Sequence, residues 1–215
     1  VQPVPPCSYS FPVSTTKEFF QVAELIGSIS IGATIGLSER VAFTDPVIVK
    51  LISSILSVES RQNAYFRFIQ GKSPNPSSFD TMIDDIWAYH LAHSFIVPGS
   101  CPIEVAVPTL PRLDVVKATS APYLNITNNT ALHEFTWDPK QTPFIAEEGK
   151  ELLVGWVNQV NIPLYTPLTT TTTGKGTARP PQGMNGAVLA VITNQQYTTI
   201  NDLVLGTMAG PIVLL

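Results

Sequence analysis

The stretch TDPVIVKLISSILSVESRQNAYFRFIQGKSP, residues 44 to 74, decides the fold. Asp45 stands where an N-cap is wanted, Pro46 fits the first helical position, and Gly71 and Pro74 close the run. The spacing predicts a helix of about 25 residues, roughly 37 Å long at 1.5 Å per residue. Along it Ile52, Ile55 or Leu56, Glu59, Gln62 or Asn63, Phe66 and Ile69 recur at heptad-like intervals. A face of that kind buries itself against other helices, and Glu59 and Gln62 interrupt it with polar groups three residues apart. In a helical bundle a Glu-x-x-His step at this spacing directs a carboxylate and an imidazole at one metal. Here the step is Glu-x-x-Gln.

Upstream, TTKEFFQVAELIGSISIGATIGL (15 to 37) is apolar but crowded with Gly27, Gly32 and Gly36. Phe20, Glu24, Gly27, Ile31 and Thr34 fall three or four apart, which favours a helix whose small residues admit a close neighbour. Its unbroken apolar length is too short to be read as a membrane span. Downstream, SSFDTMIDDIWAYHLAHSFIVPGSCP predicts a short helix over about residues 81–93, ended before Pro98.

From about residue 110 the character changes. LDVVKAT, HEFTWD, ELLVGWVNQV, PLYTPLTTTTT, AVLAVITN and DLVLGTM are short β-prone runs separated by Pro, Gly and Asn. They predict a small β-sandwich. The threonine tract 169–173 with GKGTARPPQG behind it reads as an exposed hairpin or connection; its glycines lack the strand-to-helix setting of a phosphate loop.

The 215 residues are 44% hydrophobic, enough for a sizeable core, and only 13% charged, with 19 prolines in the connections. A net charge of -4 and scattered Lys and Arg leave no basic footprint for nucleic acid. The chain opens on Val1 with VQPVPPCSY, lacking Met and the charged and apolar regions of a signal peptide, so a mature product or a fragment is expected. Cys7 and Cys101 lie beside prolines outside the regular runs. They form either a clamp between the chain's end and a later loop or two buried thiols; their even number favours the clamp and an oxidising compartment. The sequons at Asn125 and Asn128 agree with secretion.

The order of VAELIGSISIGA, DPVIVKLISSILSVESRQNAYFR, SPNPSSFDT, FIVPGSCP and the terminal TMAGPIVLL resembles the secreted ferritin-like proteins of fungi, often labelled stress-response proteins. More distantly it resembles the plant desiccation-related proteins. The resemblance implies a four-helix bundle in which two helices each give a Glu and two others a Glu-x-x-His to an iron or manganese pair. Glu24 would be the third helix's carboxylate, and Glu59 with Gln62 would hold the Glu-x-x-His positions of the fourth. Gln62 in place of histidine removes one strong ligand, leaving an amide oxygen that binds hard cations weakly. The bundle's first two helices have no counterpart in the chain. Two helices cannot bury their apolar faces against each other alone, so the resemblance also implies a partner, most simply the N-terminal fragment of a cleaved precursor.

Other polar residues admit plainer readings. Arg61 lies about 200° round the helix from Glu59, at a helix edge. His90 and His93 share a helix face at a legitimate ligand spacing, but no cysteine or carboxylate cluster flanks them and aromatic packing with ring nitrogens bonded to backbone is the preferred reading; His133 reads as a strand-surface residue. Ser53, Ser54, Ser57 and Ser60 lack a nucleophile elbow, and Asp80, Asp84 and Asp85 most simply open a helix, with a glycosidase pair as the rival reading. The expectation is therefore an α+β protein with a ferritin-like helical half-bundle over 1–109 and a β-sandwich over 110–215. Its role would be structural, storage or stress-protective, without a complete di-metal site. The rivals are a metal-binding or redox protein completed by a partner chain, and a glycan or cell-surface binding module. Self-association into a homo-oligomer is also open.

Overall fold

The computed structural model describes residues 5–103, 105–116, 132–141, 151–160 and 162–215. Helix α1 (Thr16–Val41) starts at a reciprocal cap: Thr15 Oγ1 accepts from the Glu18 N–H at 3.2 Å, and Glu18 Oε2 accepts from the Thr15 N–H at 3.0 Å. It runs four residues beyond the predicted end, to Val41. Helix α2 (Pro46–Ile69) begins on Pro46; Asp45 is its N-cap by position but makes no side-chain cap bond. It stops at Gly71, whose φ of 71° suits a residue without a Cβ. Helix α3 (Asp85–His93) starts later than the sequence predicts, because Asp84 Oδ1 accepts from the Ile86 N–H at 2.9 Å and fixes the N-cap there.

Residues 81–83 stay extended against α1. The Ile83 N–H donates to Gly32 O at 3.0 Å, and a Cβ on Gly32 would stand 2.5 Å from Thr81 O. The small residues of α1 thus admit two different neighbours: Gly27 faces Asn63 of α2, and Gly32 and Gly36 face the 81–83 segment.

The remainder is two four-stranded antiparallel sheets. One has the order β1 (Leu113–Val116), β2 (His133–Trp137), β6 (Lys175–Ala178), β5 (Thr169–Thr172); the other has β4 (Leu164–Pro167), β3 (Leu153–Asn158), β7 (Val188–Thr193), β8 (Ala209–Leu214). The threonine tract forms the exposed edge strand β5, which turns at Gly174 into β6. PLYTPLTTTTT therefore supplies two strands, one to each sheet. The DLVL of DLVLGTM is helical where the sequence predicts a strand. In α4 (Ile200–Leu205) Thr199 Oγ1 accepts from the Asp202 N–H at 3.1 Å, and that local cap overrides the apolar run.

Side chains of both sheets meet in one apolar cluster that includes Leu113, Phe135, Trp156, Ala190 and Leu214. The rings of Phe135 and Trp156 stand edge to face at 6.0 Å. A second cluster joins the outer face of β3, β7 and β8 to the helices through Val157, Leu189 and Val213 against Leu25, Trp87 and Leu203. All six residues of β7 are buried for this reason, since each face of the strand has a layer against it. The boundary expected near residues 109–110 falls in the irregular segment before β1, yet the two parts share this cluster.

Candidate functional site

Helices α1 and α2 run antiparallel, so the start of α1 meets the end of α2. Glu24, fully buried, is held there by three donors. Arg67 Nη1 donates to its Oε1, while Lys72 Nζ at 2.7 Å and Gln70 Nε2 at 2.9 Å donate to Oε2. Arg67 in turn donates through Nε to Ser73 O at 2.8 Å, which ties the chain leaving α2 into the cluster. Burial pulls the Arg67 guanidinium down from its ordinary value, and the Glu24 charge pushes it back up. Two cations on one carboxylate make the cluster net positive.

Glu59 occupies a different place and a different chemistry. Its oxygens accept from Ser30 Oγ at 2.7 Å and Thr34 Oγ1 at 3.3 Å, and among the described residues no cation pairs with it. Ser30 lies six residues along α1 from Glu24, roughly 9 Å at 1.5 Å per residue. The two carboxylates therefore answer separate partners. Gln62 is exposed and bonds neither of them among the described residues. The groups that satisfy Glu24 are Arg67 in the last turn of α2, its C-cap Gln70, and Lys72 beyond its end. Next to Gln62, Asn63 points toward α1 instead, donating to Ser28 Oγ at 3.2 Å while its buried Oδ1 has no partner.

These placements bear on the metal pair that the bundle would imply. Both Glu24 oxygens already accept from cationic or amide donors, and a further cation there would meet two positive charges at contact. Among the described residues no group of three or more His, Cys, Asp or Glu gathers as a metal ligand set. The residues present do not fit the di-metal centre.

What α1 and α2 do present together is an apolar hollow of about 460 Å³. Phe11, Phe19, Val22, Ile26 and Phe66 line it, and Glu59 and Gln62 are its polar members with Ser30 and Asn63. Each helix carries an exposed stripe alongside. On α1 Phe19, Ala23, Ile26, Ser30, Ala33 and Leu37 recur at alternating steps of four and three, with Phe19, Ile26 and Leu37 exposed and the three small residues half-buried between them. On α2 Ile48, Leu51, Ile55, Val58, Tyr65 and Ile69 do the same, with Gln62 between Val58 and Tyr65. Leu51 is 63% exposed and Ile55 54%. The N-terminal arm forms one wall of the hollow: the Ser10 N–H donates to Phe95 O at 2.8 Å, and Phe11 packs on Phe95 at 5.4 Å. Cys7 is joined to Cys101, 94 residues on, and pins that arm in place.

The other candidates fall into structural roles. Asp84 and Asp85 both pair with Arg40, Asp84 at 2.8 Å, while Asp84 caps α3. Burial raises the Asp84 carboxyl, and it raises Asp80 too. His93 is exposed beside the Tyr89 ring, and burial lowers half-buried His90. His133 is buried in β2, not on a strand surface as the sequence predicts, because its position in the alternation faces the core with Phe135. Arg61 is exposed and donates to Ser57 Oγ at 2.8 Å. Asn125 and Asn128 lie outside the described residues. Arg67, Gln70 and Lys72 are the residues that sequence reasoning missed; they meet Glu24 only through the pairing of α1 with α2, which leaves no local signal.

An antiparallel pair of long helices joined to two antiparallel sheets makes the described residues an α+β fold. Residues 1–72 match the family described as the ferritin-like domain, a span that takes in α1, α2 and the whole Glu24 cluster as far as Lys72. No curated protein matches the chain.

Proposed function

We propose that this chain is half of a ferritin-like four-helix bundle carried on a β-sandwich, in a secreted protein whose role is structural, storage or stress-protective, not catalytic. The carrying observation is Glu24: a fully buried carboxylate at the position of a bundle ligand is neutralised by Arg67 and Lys72 of its own chain. Charges supplied by side chains do there what a bound cation does in a metal-bearing bundle, which is to stabilise a carboxylate taken out of water. The two exposed stripes support completion of the bundle by two further helices, of which a second fragment of the same precursor is the simplest source. Helix α1 is apolar and long enough, by length and composition, to cross a membrane. Its salt-bridged Glu24 and its packing on Trp87 and Ile83 favour a core helix instead. The Cys7–Cys101 bond and the fungal and desiccation-related resemblance favour secretion and a protective role.

Metal analysis of the native protein after dialysis against iron and manganese tests this reading, run with denaturing electrophoresis and N-terminal sequencing of every band. The expected result is substoichiometric metal and a second fragment of amphipathic helical sequence. A stoichiometric transition metal lost on Glu24→Gln would overturn the metal-free reading, and a monomer whose stripes resist labelling by apolar probes would overturn the half-bundle.

A further inference from the structure

The partner that covers the α1–α2 face has a chemistry that the face itself specifies. Resting on the half-bundle reading, we infer that its contacting segment is an amphipathic helix with a Lys or Arg at its central core position, set against Glu59. All the residues lining the hollow are uncharged except Glu59, and so are the residues of both stripes. Glu59 accepts from two neutral hydroxyls and, among the described residues, has no cation. It lies three residues before Gln62 on the hollow side of the α2 stripe, near the middle of the helix, so a helix laid along the face covers it.

Covering a carboxylate without neutralising it is expensive, because two hydroxyl donors replace only part of its hydration. An apolar partner helix would therefore meet a penalty at one layer and gain at every other. A Lys or Arg at that layer removes the penalty, and the amide oxygen of Gln62 is available as a second acceptor for it. The contrast with Glu24 sharpens the point, since the equivalent charge there is already matched within the chain. A second copy of this chain fits poorly, because its stripes would bring another Glu59 and Gln62 and no cation. A metal ion fits poorly too, since the layer offers one carboxylate and one neutral amide.

The test uses the full chain and three synthetic helical peptides with leucine at the core positions and Lys, Leu or Glu at the central one, titrated by fluorescence anisotropy. The Lys peptide should bind about tenfold more tightly than the Leu peptide, with the Glu peptide weakest. Glu59→Gln should abolish the Lys preference while leaving the Leu peptide's affinity in place. If that variant does not fold, a Lys-over-Leu ratio that falls with added salt on the unaltered chain reads out the same charge. Tightest binding by the Leu peptide, a salt-independent ratio, or a Lys preference that persists in Glu59→Gln would overturn the inference but leave the half-bundle standing. Binding by none of the three would overturn both. A dimer of the chain alone in sedimentation that excludes every peptide would assign the face to a second copy and also overturn the inference.

Discussion

The two flanks of the molecule handle apolar surface in opposite ways. Strand β7 is covered on both faces and keeps all six of its residues out of water. Helix α2, four times as long, buries only Ile52, Asn63 and Arg67. Both are rich in Val, Ile and Leu, so composition does not make the difference. It comes from what packs against each element among the described residues: a layer on each face for β7, and for α2 chiefly α1, with the N-terminal arm and the 74–81 segment at its margins. A strongly apolar helix covered on one side is the observation on which the proposed partner rests.

The comparison breaks most visibly at the joint between the flanks. Trp87 is fully buried and donates through Nε1 to Thr207 Oγ1 at 3.1 Å, linking α3 to the segment before β8. Trp87→Ala should cost about 4 kcal/mol in urea unfolding. A loss below about 1 kcal/mol would mean that helices and sheets do not share a core. Next in size is the Glu24 cluster. Arg67→Met leaves a buried carboxylate with Lys72 as its remaining cation and should cost about 3 kcal/mol. Adding Glu24→Leu should return most of that stability, since an apolar pair of similar volume removes both the charge and its desolvation. A double variant as unstable as the single would show that the cluster's worth lies in its geometry.

Leu51→Ser and Ile55→Ser probe the uncovered flank. In the chain alone each should change stability by less than about 0.5 kcal/mol, because both side chains stay more than half exposed in the folded chain. A loss of several kcal/mol in equilibrium unfolding would mean that this flank is already covered. The smallest effect concerns protons. Burial lowers His133 and His90, so both are neutral in the folded chain at pH 7 and bind protons more readily when unfolded, with an ordinary value near 6.5. The unfolded state then gains protons first as pH falls through that value, and the folded state loses stability. The melting temperature should therefore be lower at pH 5 than at pH 7, and His133→Leu should flatten the slope. Asp80 and Asp84, raised by burial, act in the opposite sense at lower pH, above an ordinary value of 3.8. A melting temperature that rises from pH 7 to pH 5 would contradict the buried histidines.

The sequence by itself determined the helices α1 and α2, the change to strands after residue 110, the likeness of the N-terminal part to a ferritin-like domain, and the two carboxylates. Periodicity, Pro46 and Gly71 are local signals, and local signals survive without a partner. It left open whether Ile55 or Leu56, and Gln62 or Asn63, face the neighbouring helix. Adjacent helical positions differ by only about 100°, and both rows are apolar at heptad spacing. Packing decided: Leu56 and Asn63 turn to α1, while Ile55 and Gln62 turn outward. Tertiary structure also decided what satisfies Glu24, because Arg67 and Lys72 lie 43 and 48 residues away in sequence and meet it only through the antiparallel pairing. It made the DLVL of DLVLGTM helical and the terminal AGPIVL a strand, since a six-residue apolar run carries no period long enough to choose, and a cap at Thr199 and a place beside β7 do.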